Sequence, residues 1–86
     1  APVLRVSQNT CDLRGCRVEE AFDRLEGYFD QQILNGRRTV FILHGHGTGA
    51  LRTGGRDWLN GCHYVQDWRP ANDDEGGDAF TRVDLK

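Results

Sequence analysis

The chain contains no methionine, one lysine, two prolines and three cysteines in 86 residues. Its longest uninterrupted apolar run is Val40 to Leu43, far short of the ~18 residues a membrane-spanning helix needs. The N-terminus also lacks a basic-then-apolar signal pattern, so no membrane partner is expected. Three cysteines cannot all pair within the chain, and Cys11, Cys16 and Cys62 lack the paired close spacing of a zinc site. They are expected to be reduced thiols acting as small core hydrophobes in a reducing compartment. A chain this short buries only about 60 to 65% of its unfolded surface, which leaves one two-layer core and excludes large multi-domain enzyme folds. Because it begins at Ala1 rather than Met, it reads as a domain excised from a longer parent.

An excess of positive charge is also missing. The formal net charge of -2 argues against a uniformly basic nucleic-acid binder. The distribution is uneven, however: between Gly36 and His63, Arg37, Arg38, Arg52 and Arg56 face only Asp57, giving +3 there and -5 in the remainder. All three histidines, His44, His46 and His63, fall in the same stretch. Ten of the 11 basic side chains are arginine, whose planar fork suits bidentate phosphate or carboxylate contacts.

The apolar pattern predicts strand, helix, strand, helix, strand, strand. Thr10 to Arg14 alternates like a half-buried strand, with Cys11 and Leu13 on one face and Asp12 and Arg14 side by side on the other. Val18, Ala21, Phe22, Leu25, Tyr28, Phe29 and Ile33 recur at helical spacing from Arg17 to Asn35, with Glu19 and Glu20 at the positive end and Asn35-Gly36 as a stop. Thr39 to His44 is continuously apolar until its last residue, as in a central or doubly covered strand. A glycine-rich turn from Gly45 to Gly49 leads into a helix over Ala50 to Asn60, which Gly54-Gly55 weakens by about 1 kcal/mol per glycine. Tyr64 to Arg69 and Ala79 to Leu85 read as strands joined by a loop over Pro70 to Asp78, with Thr81, Val83 and Leu85 inward. Residues 1–8 form an arm or an extra strand, and residues 9–86 the domain.

His44-Gly45-His46-Gly47-Thr48-Gly49 lies where a buried strand turns into a helix. Backbone N–H groups and the helix dipole favour an anion there, and glycine lets a phosphate come close. The plainer alternative is a tight turn. Gly45-x-Gly47-x-x-Ala50 also satisfies a loose dinucleotide-binding pattern, but 86 residues cannot supply the parallel strands such a domain needs. The absence of Gly-Lys-Ser/Thr argues against a P-loop. His44 can act as a general acid or base near neutral pH. Asp12-x-Arg14 could orient a histidine, hold a metal ion or clamp a phosphate, or be a surface ion pair of little energetic consequence.

Together these residues resemble a family. Cys11-Asp12-Leu13-Arg14-Gly15, then Arg17-Val18-Glu19-Glu20-Ala21, then His44-Gly45-His46-Gly47-Thr48-Gly49-Ala50-Leu51, and finally Glu75-Gly76-Gly77-Asp78 are similar to the ordered motifs of the small MutS-related (Smr) domain. Within that family the chain is most similar to the C-terminal domain of MutS-like recombination suppressors of bacteria and organelles. The resemblance implies an α/β (α+β) two-layer sandwich, βαβαββ, with a four-stranded mixed sheet and two helices, similar to the C-terminal domain of a bacterial translation initiation factor. It implies a nicking endonuclease domain that binds DNA or RNA within a larger MutS-like protein, in the bacterial cytoplasm or nucleoid or in an organelle. The alternative is a non-catalytic nucleic-acid or ribosome-binding module. Asp12, Arg14, His44 and His46 match the positions implicated in cleavage, with His44 transferring a proton and Asp12 orienting it or recruiting a divalent ion. Gly45, Gly47, Thr48, Gly49, Arg52 and Arg56 are expected to contact phosphate, and Arg37 and Arg38 to add to the basic surface. Dependence on Mg2+ or Mn2+ stays open, because Asp12 is the one obvious carboxylate at the site. His46 stands where close relatives often carry lysine, replacing a permanent charge with a titratable one.

Overall fold

The computed structural model describes residues 3–47 and 49–86; Thr48, expected to contact phosphate, lies outside them. Its elements are β1 (Thr10–Asp12), α1 (Val18–Leu34), β2 (Thr39–Leu43), α2 (Ala50–Asn60), β3 (Val65–Pro70) and β4 (Phe80–Leu85). The strands form one mixed sheet in the order β1-β2-β4-β3, with β1 parallel to β2 and β4 antiparallel to both its neighbours. The unbroken apolar run thus becomes a central strand. Alternate residues of β2 then serve opposite faces: Val40 and Ile42 join the core beneath the helices, while Phe41 joins Phe80 and Ala71 on the other side.

Both helices pack on one face. Ala21, Leu25 and Phe29 of α1, four residues apart, are at most 2% exposed and meet Leu59 of α2 over Val40, Ile42, Val83 and Leu85. Phe22 stacks on Trp58 with ring centroids 5.6 Å apart, joining the two helices. A Schellman closure ends α1: Arg37 N–H donates to the Gln32 carbonyl at 2.9 Å and Gly36 N–H to that of Ile33 at 3.0 Å. The other sheet face is shielded by chain rather than by a third layer. Val3 packs against the Phe41–Phe80 cluster, and the Arg5 guanidinium lies 4.1 Å from the Phe80 ring centroid. Residues 3–6 form no strand, and a single 3-10 turn, Ser7–Asn9, leads into β1.

Element ends differ from the sequence reading by one or two residues, and the loop before β4 differs in content. β1 stops at Asp12, because the Asp12 carboxylate accepts the Arg14 backbone N–H at 3.0 Å and turns the chain out of the sheet. β3 extends through Pro70, which an edge strand tolerates at its end. The loop before β4 contains two further 3-10 turns, Asp73–Glu75 and Gly77–Ala79.

The weakening expected of Gly54 and Gly55 leaves the helix continuous, and the two glycines differ in what surrounds them. A Cβ on Gly54 would sit 3.2 Å from Val18 Cγ1, so its absence lets the N-terminus of α1 approach α2, whereas Gly55 faces open space. Gly55→Ala should therefore stabilise the domain by about 0.5 to 1 kcal/mol. Gly54→Ala should give no gain or a loss; urea denaturation of the two variants measures the difference.

Candidate active site

Parallel pairing brings the ends of β1 and β2 to one edge of the sheet. Asp12 lies opposite Leu43, and Leu13 N–H still donates to the Leu43 carbonyl at 2.8 Å, so Arg14 and His44 leave the sheet together. This is the edge at which ligands of open α/β sheets bind. Arg14 is held by the residue two before it: its Nε donates to Asp12 Oδ1 at 3.1 Å and its Nη2 to Oδ2 at 2.9 Å. That pairing with Arg14 holds the Asp12 carboxyl below its usual range. The Arg14 stem then lies along Gly45, whose φ is +75°; a Cβ there would come within 3.3 Å of Arg14 Cγ. Glycine at this position serves both the left-handed backbone and the close approach of the arginine.

His44 is 6% exposed, and both its ring nitrogens are engaged: Nδ1 is 2.9 Å from the Gly45 carbonyl, and Nε2 is 2.9 Å from Thr81 Oγ1. A carbonyl only accepts, so Nδ1 carries the hydrogen and Nε2 accepts from the Thr81 hydroxyl. Thr81 Oγ1 in turn accepts from Arg56 Nε at 3.0 Å. Burial lowers the His44 pKa, and the nearby Arg56 and Arg52 charges push the same way against the opposing Gly45 hydrogen bond and Asp78 charge. His44 is thus a neutral, fully bonded ring that pins the first residue of the glycine turn to β4. Gly45 N–H adds a bond to the Ala79 carbonyl at 3.0 Å.

A cavity of about 490 Å³ opens beside this turn, lined by residues of the β1–α1 connection, the turn itself and the first turn of α2. Arg14, Gly45, His46, Gly47, Gly49 and Arg52 line it, and none of its lining residues is acidic. His46 is exposed and has no side-chain hydrogen bond among the described residues. Arg56, expected to contact phosphate, does not line the cavity. Its side chain is 18% exposed, bonded to Thr81, paired with Asp78 at 3.4 Å and placed 5.5 Å from the Trp68 ring centroid. Arg52 reaches both environments, lining the cavity while pairing with Asp78 at 2.7 Å.

A family model for the Smr domain matches residues 11–86. The chain belongs to the Smr domain family. Over 75 residues, 87% of its length, it is 48% identical to Endonuclease MutS2 of Fusobacterium nucleatum, and the match covers 10% of that protein. It is 47% identical, over the same shares, to Putative endonuclease MutS2 of Bacillus subtilis. The chain thus spans about a tenth of the length of these curated relatives. The crystal structure of the Smr domain of Thermus thermophilus MutS2 matches with a TM-score of 0.86 at 36% identity, covering 91% of this chain and 98% of that one. YdaL, a stand-alone small MutS-related protein from Escherichia coli, matches with a TM-score of 0.86 at 26% identity, covering 95% of this chain and 67% of that one.

In this Smr domain the four clustered arginines divide. Arg37 and Arg38 precede β2, at the opposite end of that strand from the glycine turn, and Arg37 ties the Gln8 carbonyl to the Gln32 side chain. The expected orientation of His44 by Asp12 is also corrected, since Asp12 bonds Arg14 and His44 bonds Gly45 and Thr81. Thr81, read from the sequence only as an inward core residue, is the partner that sequence reasoning missed. The Glu75-Gly76-Gly77-Asp78 motif is structural at its first half. Glu75 accepts from Arg69 at 2.9 and 3.1 Å, and a Cβ on Gly76 would sit 2.5 Å from the Phe80 ring.

The donor set does not fit a divalent cation held by protein ligands. Both Asp12 oxygens accept from Arg14, Asp78 faces two arginines, and no group of three or more His, Cys, Asp or Glu gathers among the described residues. The three thiols are free, and burial pushes that of Cys11 up to about 11. No helix among the described residues is long and apolar enough to cross a membrane.

The depressed pKa of His44 has a stability consequence. As pH falls through about 6.5, the unfolded chain takes up this proton before the folded one, so the stability from a neutral His44 is complete above that pH and is lost toward the lower folded value. The melting temperature should fall from pH 7 to pH 5, and His44→Gln should flatten that slope. The held-down Asp12, Asp78 and Glu75 carboxyls lose their contributions as pH falls from about 5 downward, mostly below this window.

Proposed function

We propose that this domain is a nucleic-acid phosphodiester hydrolase that acts on DNA or RNA as part of a MutS2-like protein. The observation that carries the proposal is Arg14, braced by Asp12 and laid along Gly45, at a carboxylate-free cavity where a glycine turn meets the N-terminus of α2. Arg14 and the His46 and Gly47 amides, which have no carbonyl partner among the described residues, hold the scissile phosphate and neutralise the charge that develops on its non-bridging oxygens. His46 exchanges a proton with the attacking or leaving oxygen, since it lines the cavity, is exposed and has no side-chain hydrogen bond among the described residues. His44 acts through the turn as a positioning residue, because a proton could leave or reach its ring only by breaking a bond to Gly45 or Thr81. The names of the relatives, endonucleases, support phosphodiester hydrolysis as the reaction class.

Nicking of supercoiled plasmid, with and without Mn2+ or Mg2+, tests the reading. Arg14→Ala should lower the rate about 10²- to 10³-fold, as loss of a transition-state charge donor does, and reduce the salt dependence of binding by about one phosphate contact. His46→Ala should lower the rate about 10²-fold or more with binding largely kept. Cleavage unchanged in both variants would contradict the proposal. Binding without cleavage by the wild-type chain would make it a nucleic-acid-binding module on the same cradle.

A further inference from the structure

The cavity is larger and more apolar than a phosphate requires. Its volume of about 490 Å³ lies within the ~300–1,000 Å³ typical of sites for small organic ligands, whereas a phosphate displaces a few waters at about 30 Å³ each. Each wall pairs cations with apolar groups. The β1–α1 connection and the first residue of α1 bring Arg14 and Arg17 together with Cys16 and Val18, and the first turn of α2 brings Arg52 with Leu51. Val18 reaches this position because Gly54 has no side chain to hold α1 away. Arg17 is 87% exposed, with only a loose 3.9 Å pairing to Glu20, so its guanidinium plane is available to a ligand. A site that tracked only the backbone of a stacked duplex would need cations on an open surface, with no use for an apolar recess.

An occupant that satisfies both walls joins an anion to a flat, largely apolar body. Within a nucleic acid that is a nucleotide whose base has left its stack, since extruded and single-stranded bases are held between apolar side chains and arginine planes. We propose, building on the hydrolase reading above, that the cavity takes one unstacked nucleotide, its phosphate at Arg14 and the glycine turn and its base between Val18 and Leu51. The substrate is then a single-stranded or locally unpaired segment rather than a continuous duplex.

The test titrates the chain with deoxyadenosine 5′-monophosphate, 2-deoxyribose 5-phosphate and inorganic phosphate, following the Gly45, Gly47 and Gly49 amides and the Val18 and Leu51 methyls by NMR. All three ligands should move the glycine amides. Only the nucleotide should move the methyls, and it should bind about tenfold more tightly than deoxyribose 5-phosphate, a difference of about 1.4 kcal/mol. Val18→Ser, at a position outside the buried core cluster, should remove that gain and keep the amide response. Equal affinities with unmoved methyls would overturn the base pocket and leave the phosphate cradle standing. Glycine amides unmoved by every ligand would overturn the phosphate reading and this inference with it.

Discussion

Strands β1 and β2 run parallel in register from Thr10–Phe41 to Asp12–Leu43, so two chain segments leave the sheet at the same edge and must turn there side by side. Everything at the site follows from how those two exits are managed. The first is turned by Asp12, which captures both the backbone and the guanidinium of Arg14. The second is turned by glycines, because the backbone at position 45 has a φ of +75° and a side chain there would crowd the Arg14 stem. A helix start beside a fixed cation favours negative charge.

The two histidines two residues apart end in opposite situations. His44 lies under the turn in a directional chain of bonds from Arg56 through Thr81 to the imidazole and on to the Gly45 carbonyl, and every donor and acceptor in it has a partner. A satisfied buried network of this kind specifies one conformation. His46, two residues further on, lines the cavity as His44 does but is exposed, with no side-chain hydrogen bond among the described residues. Asp78 closes the far end of the network, holding Arg52 and Arg56 together beneath the start of α2.

Most of the fold was legible because its signals are local and periodic: the helical spacing of Ala21, Leu25 and Phe29, the apolar run of β2, and the alternation of β4. The place of the candidate site at the exit of β2 was legible for the same reason, since the turn from Gly45 to Gly49 follows a buried strand. What the pattern could not supply were the long-range partners. Thr81 meets His44 from 37 residues away, and Asp78 meets Arg52 from 26. Nothing local distinguishes a threonine that bonds a histidine from one that simply faces the core. Arginine clustering in sequence was likewise no guide to clustering in space, because β2 separates Arg37 and Arg38 from Arg52 by its whole length. Gly54 was only half legible for a related reason: a glycine that weakens a helix and one that admits Val18 look the same until the neighbouring helix is in place.

The glycine turn and the Arg37–Arg38 pair lie at opposite ends of β2, and only one of these ends should meet nucleic acid. Titrating the chain with a short single-stranded oligonucleotide at low salt, and following backbone amides and arginine Nε–H groups by NMR, reads this without a substitution. The expected shifts gather at Arg14, Gly45 to Gly49 and Arg52, with Arg37 and Arg38 unmoved. Shifts gathered at Arg37 and Arg38, with the glycine turn unchanged, would contradict it.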